Sequence, residues 1–182
     1  MGRGVFLDRD GVLNRPVVRE GRPFAPTSLE QFELLPGVSQ ACSRLREQGL
    51  VLIVVTNQPD VARGVLSREQ VEQMHQKLRE LVPLDDIRIC FHDGPDRCDC
   101  RKPRPGLLLE AARDWKLDLY ESFMVGDRWR DIDAGRAAGC RTIFIDYAYR
   151  ESLRSSPDWR VLSLPEAVDW ILKEANREGK ER

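Results

Sequence analysis

The sequence predicts a doubly wound, mostly parallel α/β fold, because short apolar runs rich in β-branched residues alternate with segments of helical period. A second observation agrees: the runs are apolar almost throughout, which implies burial on both faces, as in a parallel sheet covered by helices. Val5-Phe6-Leu7 reads as the first strand. Arg15 to Thr27, with three prolines and little periodicity, reads as a loop long enough to cover a site. Val38, Cys42 and Leu45 then share one helical face, and Gly49 falls where that helix would stop. Val51-Leu52-Ile53-Val54-Val55 is the second strand. Ser67, with Gln70 three residues on, forms a capping box for a helix whose apolar face is Val71, Met74, Leu78 and Leu81. His75, among polar neighbours on that helix, reads as a surface residue. Ile87-Arg88-Ile89 is the third strand, and Pro105 suits the first turn of a helix presenting Leu108, Ala111, Ala112 and Trp115. Phe123-Met124-Val125, a helix ending at Gly139, and Thr142-Ile143-Phe144-Ile145 complete the pattern. The strongly charged tail from Glu174 to Arg182 is expected to fray from the last helix.

At 182 residues the chain suits a single domain. No insertion is large enough to form a separate cap domain. An apolar fraction of 41% and a charged fraction of 32% describe a soluble globular protein. No apolar run approaches the roughly 20 residues of a membrane helix. The N-terminus passes straight into the first strand without a signal-peptide pattern, so a cytoplasmic location is expected, with no membrane partner. A formal net charge of −1 provides no global attraction for polyanions, so nucleic acid is not an expected partner, and a monomer is the default. Of five cysteines, Cys90, Cys98 and Cys100 crowd together, which in a cytoplasmic protein favours metal ligation over a disulfide framework. Cys42 and Cys140 read as small core hydrophobes.

Ligands of an open α/β sheet bind beyond the carboxyl ends of its strands. There the chain carries Asp8-Arg9-Asp10-Gly11-Val12-Leu13-Asn14, then Thr56-Asn57-Gln58, then Gly126-Asp127-Arg128. Singly these are ordinary: an Asp-x-Asp is common in solvated turns, a threonine after a buried strand is commonly a cap, and a loop lysine is commonly solvated. In order, however, Asp8-x-Asp10-Gly11-Val12, Thr56, Lys102 and Gly126-Asp127-x-x-x-Asp131 resemble the four motifs of the haloacid dehalogenase superfamily. The resemblance spans roughly residues 4 to 146.

That resemblance implies that Asp8 attacks phosphorus to form an aspartyl phosphate, while Asp10 protonates the leaving oxygen and then activates water. It implies Mg²⁺ held by Asp8, the backbone carbonyl of Asp10, and Asp127. Thr56 would bond a nonbridging phosphoryl oxygen, Lys102 would offset charge on the transferring group, and Asp131 would orient Lys102. The chemistry is physically sound. A carboxylate is ionised at neutral pH and attacks without a base, two adjacent acids can share a proton, and carboxylates packed with a phosphate need a hard cation.

Between residues 90 and 102 lies a compact loop with three thiols and one imidazole: Cys90, His92, Cys98 and Cys100. Thiolate and imidazole ligands favour zinc, and four of them leave no open position, so the expected zinc is structural. Cys-x-His followed by Cys-x-Cys-Arg-Lys-Pro, with the Asp8-x-Asp10 start and the Ala62-Arg63-Gly64 turn, resembles a narrower group. It contains the D-glycero-D-manno-heptose 1,7-bisphosphate 7-phosphatases and the related histidinol-phosphate phosphatases. That group commonly reads Thr-Asn-Gln-Ser-Gly where this chain has Thr56-Asn57-Gln58-Pro59-Asp60, and lysine where this chain has Arg128. Asn57, Gln58, Arg63, Arg101 and Arg128 are the expected contacts to a small phosphorylated metabolite. The expected reaction is magnesium-dependent phosphate-monoester hydrolysis of the heptose bisphosphate, with histidinol phosphate or another sugar phosphate as the alternative. A non-catalytic phosphate-binding role is opposed by the intact motifs, and a polynucleotide-end phosphatase by the near-neutral charge.

Overall fold

The computed structural model describes residues 1–178; the last helix continues through Glu178, so the fraying expected from Glu174 does not begin there, and the rest of that expectation lies outside the described residues. In chain order the elements are β1 (Gly4–Leu7), β2 (Val17–Arg19), β3 (Arg22–Phe24), α1 (Val38–Glu47), β4 (Val51–Asn57) and α2 (Arg68–Leu81). There follow β5 (Asp86–Cys90), α3 (Gly106–Trp115), β6 (Phe123–Gly126), α4 (Trp129–Ala138), β7 (Arg141–Ile145), β8 (Trp159–Val161) and α5 (Leu164–Glu178). Six strands form one sheet in the order β5-β4-β1-β6-β7-β8, with every neighbouring pair parallel. All five strands read from the sequence are present.

Strand alternation divides the core into two layers. Val5, Leu7, Leu52, Val54, Phe123 and Val125 pack with the buried faces of α1, α2 and α5, while Phe6, Ile53, Val55 and Met124 pack with α3 and α4. Helices therefore cover both faces, as near-continuous apolar strands demand. The capping box forms as expected: the Ser67 hydroxyl accepts from the Gln70 amide at 3.2 Å, and the Gln70 side chain accepts from the Ser67 amide at 2.8 Å. Cys42 and Cys140 are buried among apolar neighbours.

Four expectations need correction. His75 is not a surface residue but fully buried, because it is four residues past Val71 and three before Leu78 and so shares their inward face. Leu81, in the last turn of α2, is exposed, and Trp115 is partly exposed with its indole N–H donating to Asp86 at 3.0 Å. The stretch from Arg15 to Thr27 is not irregular: it holds the antiparallel β2–β3 hairpin, which turns at Glu20-Gly21, both with positive φ. The sixth strand, β8, was not read, since three residues with two exposed carry almost no pattern.

Leu7 is level with Val54 on one side and with Val125 on the other, so the residues after β1, β4 and β6 emerge together along one edge. From β1 the chain moves outward to β4 and β5, then returns to the other flank of β1 as β6. That reversal opens a crevice at the carboxyl ends of the central strands. Two glycines let groups crowd into it. Gly11, at φ +88, lies where a Cβ would overlap the Asp127 carboxylate, and a Cβ on Gly126 would overlap the Asp131 side chain. No helix among the described residues is long and apolar enough to cross a membrane.

Candidate active site

The crevice gathers three carboxylates and one ammonium. Asp8 follows β1, Asp127 follows β6, and Asp131 lies in the first turn of α4; one oxygen from each falls within 4.8 Å of the others. Lys102 enters from the loop before α3 and places its Nζ 2.9 Å from Asp8 and 2.6 Å from Asp131. Asn57 holds that loop in place, donating to the Lys102 carbonyl and accepting from the Lys102 amide, both at 3.0 Å. All four charged groups are buried. Burial raises Asp8 to about 6 against the pull of Lys102, with Asp131 and Asp10 adding to the rise. Burial, then Asp8 and Asp131, push Asp127 well above the usual carboxylate range. Burial works against the Lys102 charge, but Asp131 and Asp8 outweigh it and hold the ammonium at about 12.

Three carboxylates facing one ammonium make a site that fits a divalent cation. Both Asp127 oxygens are buried without a well-formed hydrogen bond among the described residues, although the Tyr149 hydroxyl faces them. A hard, oxygen-seeking ion such as Mg²⁺ would satisfy those oxygens and remove the repulsion. Asp131 is engaged by Lys102, in keeping with its expected orienting role.

Asp10 sits in a cradle of donors. Arg9 approaches with Nε at 3.1 Å and Nη2 at 3.0 Å from each oxygen, while Asn14 donates at 2.9 Å and Gln58 at 2.8 Å. Gln58 also donates to the Thr56 hydroxyl at 2.9 Å. Gln58 is thus not the substrate contact expected: it is fully buried, and its amide N–H groups are spent on Asp10 and Thr56.

The cysteine-rich loop closes on itself. Cys90 Sγ lies 3.1 Å from Cys100 Sγ and 3.8 Å from Cys98 Sγ, and His92 Nδ1 lies 3.6 Å from Cys90 Sγ and 3.3 Å from Cys100 Sγ. A tetrahedron with bonds of about 2.3 Å has edges near 3.8 Å, so these four donors fit a zinc ion, whereas a disulfide would need about 2.05 Å. Burial and the neighbouring Cys90 and Cys98 sulfurs raise the Cys100 thiol, a repulsion that a thiolate-binding cation relieves.

Comparison with known proteins agrees with this geometry. Residues 15–139 match the haloacid dehalogenase-like hydrolases. The D-glycero-D-manno-heptose-1,7-bisphosphate 7-phosphatase of Thermosynechococcus vestitus is 36% identical, over 92% of this chain and 94% of its own. The chain belongs to the haloacid dehalogenase-like hydrolase family. The D-glycero-beta-D-manno-heptose-1,7-bisphosphate 7-phosphatase of Yersinia pestis is 39% identical, over 76% of this chain and 77% of its own. A crystal structure of the D,D-heptose 1,7-bisphosphate phosphatase of B. bronchiseptica, complexed with magnesium and phosphate, superposes with a TM-score of 0.78. It is 29% identical, over 95% of this chain and 99% of that one.

In this hydrolase the carboxylates open into a cleft of about 300 Å³, lined by Asp8, Asp10, Asn57, Arg101, Lys102 and Asp127 and roofed by Arg22 to Ala25 of the β3 flap. Arg63 and Arg128 reach its wall but are already paired. Arg63 makes two 2.7 Å hydrogen bonds to Asp93, tying the turn at Arg63 to the cysteine-rich loop, and Arg128 pairs with Glu151 at 2.7 and 2.9 Å. Arg101 donates to the His92 carbonyl at 2.8 Å. Sequence reasoning missed Arg130, which lines the cleft beside Arg128 and Arg101, and assigned no contact to Arg22. Neither Arg22 nor Arg130 has a carboxylate within ion-pair distance among the described residues, and Arg130 lies 4.7 Å over the Trp129 ring. The only sequence signal for Arg130 was its place as the second residue of α4, at an open position inside the fourth motif.

Proposed function

We propose that this hydrolase removes the 7-phosphate of D-glycero-D-manno-heptose 1,7-bisphosphate. The observation that carries the substrate choice is the pair of arginines, Arg22 and Arg130, lining the same cleft as Asp8 without carboxylate partners. A monophosphate occupies only the carboxylate end, whereas a bisphosphate also meets these cations. The likeness to heptose 1,7-bisphosphate phosphatases supports the same choice.

In this reading Asp8 attacks phosphorus, and the bond from phosphorus to the sugar oxygen breaks as Asp10 delivers its proton to that oxygen. Water then attacks the aspartyl phosphate, Asp10 takes its proton, and the bond to Asp8 breaks to free phosphate. The Thr56 hydroxyl and Lys102 face the transferring group and offset its charge. Asp8, Asp127 and the Asp10 carbonyl would hold Mg²⁺, which when bound would supply charge neutralisation at the phosphoryl group. Cys90, His92, Cys98 and Cys100 would hold one zinc, fixing the loop against which Arg101 is anchored. Asn57 positions Lys102 rather than meeting substrate.

The test is kcat/KM for Mg²⁺-dependent phosphate release from the heptose 1,7-bisphosphate, the corresponding 7-phosphate, and histidinol phosphate. The bisphosphate is expected to be preferred by about a hundredfold, and Arg130→Ala to erase about tenfold of that while leaving the 7-phosphate unchanged. Equal rates for bisphosphate and monophosphates, or faster release from histidinol phosphate, would overturn the substrate assignment.

A further inference from the structure

Arg9 is the largest fully buried side chain among the described residues, and no expectation from the sequence gave it a task. Burying a guanidinium is costly unless each donor finds a partner, so where its donors go indicates what it is for. Nε and Nη2 go to the Asp10 carboxylate, and Nη1 lies 3.1 Å from His75 Nε2 on α2. Phe32 packs against the guanidinium at 5.8 Å.

We propose that Arg9 and His75 form a positioning pair that holds the Asp10 carboxylate in the one orientation from which it exchanges protons with the leaving group and with water. The inference rests on the acid–base role assigned above to Asp10. Three features of the geometry support it. His75 can serve only as an acceptor toward Arg9, since burial, then Arg9 and Arg79, depress it to about 3, and its ring is neutral. Its proton therefore sits on Nδ1, which is buried without a hydrogen bond among the described residues, the Glu72 carboxylate being 3.9 Å away. Asn14 and Gln58 turn their amide N–H groups to Asp10 and leave their own carbonyl oxygens buried without partners. Donors from three side chains, Arg9, Asn14 and Gln58, thus converge on a single carboxylate. Because Arg9 joins β1's end to α2, Asp10 is braced against a helix instead of turning freely in its loop.

The test uses leaving-group dependence, because an alkyl oxygen needs a proton as it departs whereas 4-nitrophenolate does not. For wild type, Asp10→Asn, Arg9→Lys, His75→Leu and His75→Gln, kcat/KM is measured on the best sugar phosphate and on 4-nitrophenyl phosphate. Both substrates are read on the same sample, so a reduced folded fraction cancels in the ratio. Asp10→Asn, Arg9→Lys and His75→Leu should each lose at least about tenfold on the sugar phosphate and under about threefold on the aryl phosphate. His75→Gln, whose side-chain oxygen can still accept from Arg9, should stay within about threefold of wild type on both. If Asp10→Asn shows no such split, the acid–base role of Asp10 fails and the inference fails with it. If Asp10→Asn shows the split while Arg9→Lys and His75→Leu lose equally on both substrates, or His75→Gln behaves as His75→Leu does, the positioning role alone is overturned.

Discussion

Lys102 answers to two carboxylates at once. Its ammonium is buried, paired with Asp8 and Asp131, and placed by a backbone clamp from Asn57, so it is preorganised for charge that develops on a transferring phosphoryl group. Replacing Lys102 with Met should lower kcat by about 10²–10³-fold. In EDTA, a thermal melt should also show a lower Tm, because Asp8 and Asp131 are left buried without their shared cation. His75 makes a prediction of a different kind. Its folded pKa, about 3, lies below the unfolded value of 6.5, so the unfolded chain takes up a proton that the folded one refuses. Its contribution to stability is complete above pH 6.5 and is lost as pH falls toward 3. Urea unfolding of Mg²⁺-loaded protein should therefore show wild type losing up to about 1.4 kcal/mol per pH unit relative to His75→Gln below pH 6. Parallel curves would contradict a neutral buried His75. The residue scale is also where the sequence was hardest to read. Arg9 and His75 are 66 positions apart, Arg63 and Asp93 are 30 apart, and Arg128 and Glu151 are 23 apart, and nothing local in the chain announces these pairs.

At the scale of elements, the five apolar strands and the capping box on α2 could be read because each is set by local chemistry. The β2–β3 hairpin and β8 could not. Each strand there has three residues, Pro23 sits inside β3, and the side chains alternate with little burial, so their pairing is decided by the rest of the fold. The cysteine-rich loop was legible as a candidate metal site because its four donors are near in sequence and chemically distinctive. The structure adds that this loop anchors arginines: Arg101 bonds the His92 carbonyl and Arg63 grips Asp93, while Lys102 is held independently by Asn57. His92→Ala should accordingly lose the single zinc expected by metal analysis and raise KM by about tenfold while kcat falls less than about threefold. A collapse of kcat with KM unchanged would mean that zinc positions Lys102 instead.

Across the whole molecule, the site follows from the order in which the strands are laid down. Because β1 is central and the chain reverses direction about it, Asp8, Thr56 and Asp127 arrive at one edge from three parallel strands, and Lys102 arrives from the loop after a fourth. The sequence displayed Asp8, Thr56 and Asp127 at strand ends, and the resemblance to the four family motifs added Lys102, so that end of the cleft was readable before the fold was known. The anion-binding side was not, since the three arginines assigned to substrate, Arg63, Arg101 and Arg128, each face a carboxylate, and the two cleft arginines without a carboxylate partner among the described residues, Arg22 and Arg130, come from a flap and a helix. The central claim is that Asp8 becomes phosphorylated during turnover. Its most direct test is an acid quench of enzyme, Mg²⁺ and substrate within one turnover, followed by peptide mass spectrometry. The account predicts a phosphate adduct on the peptide containing Asp8, absent in EDTA and absent in Asp8→Asn, which also releases no phosphate. An adduct elsewhere, or continued phosphate release by Asp8→Asn, would contradict it.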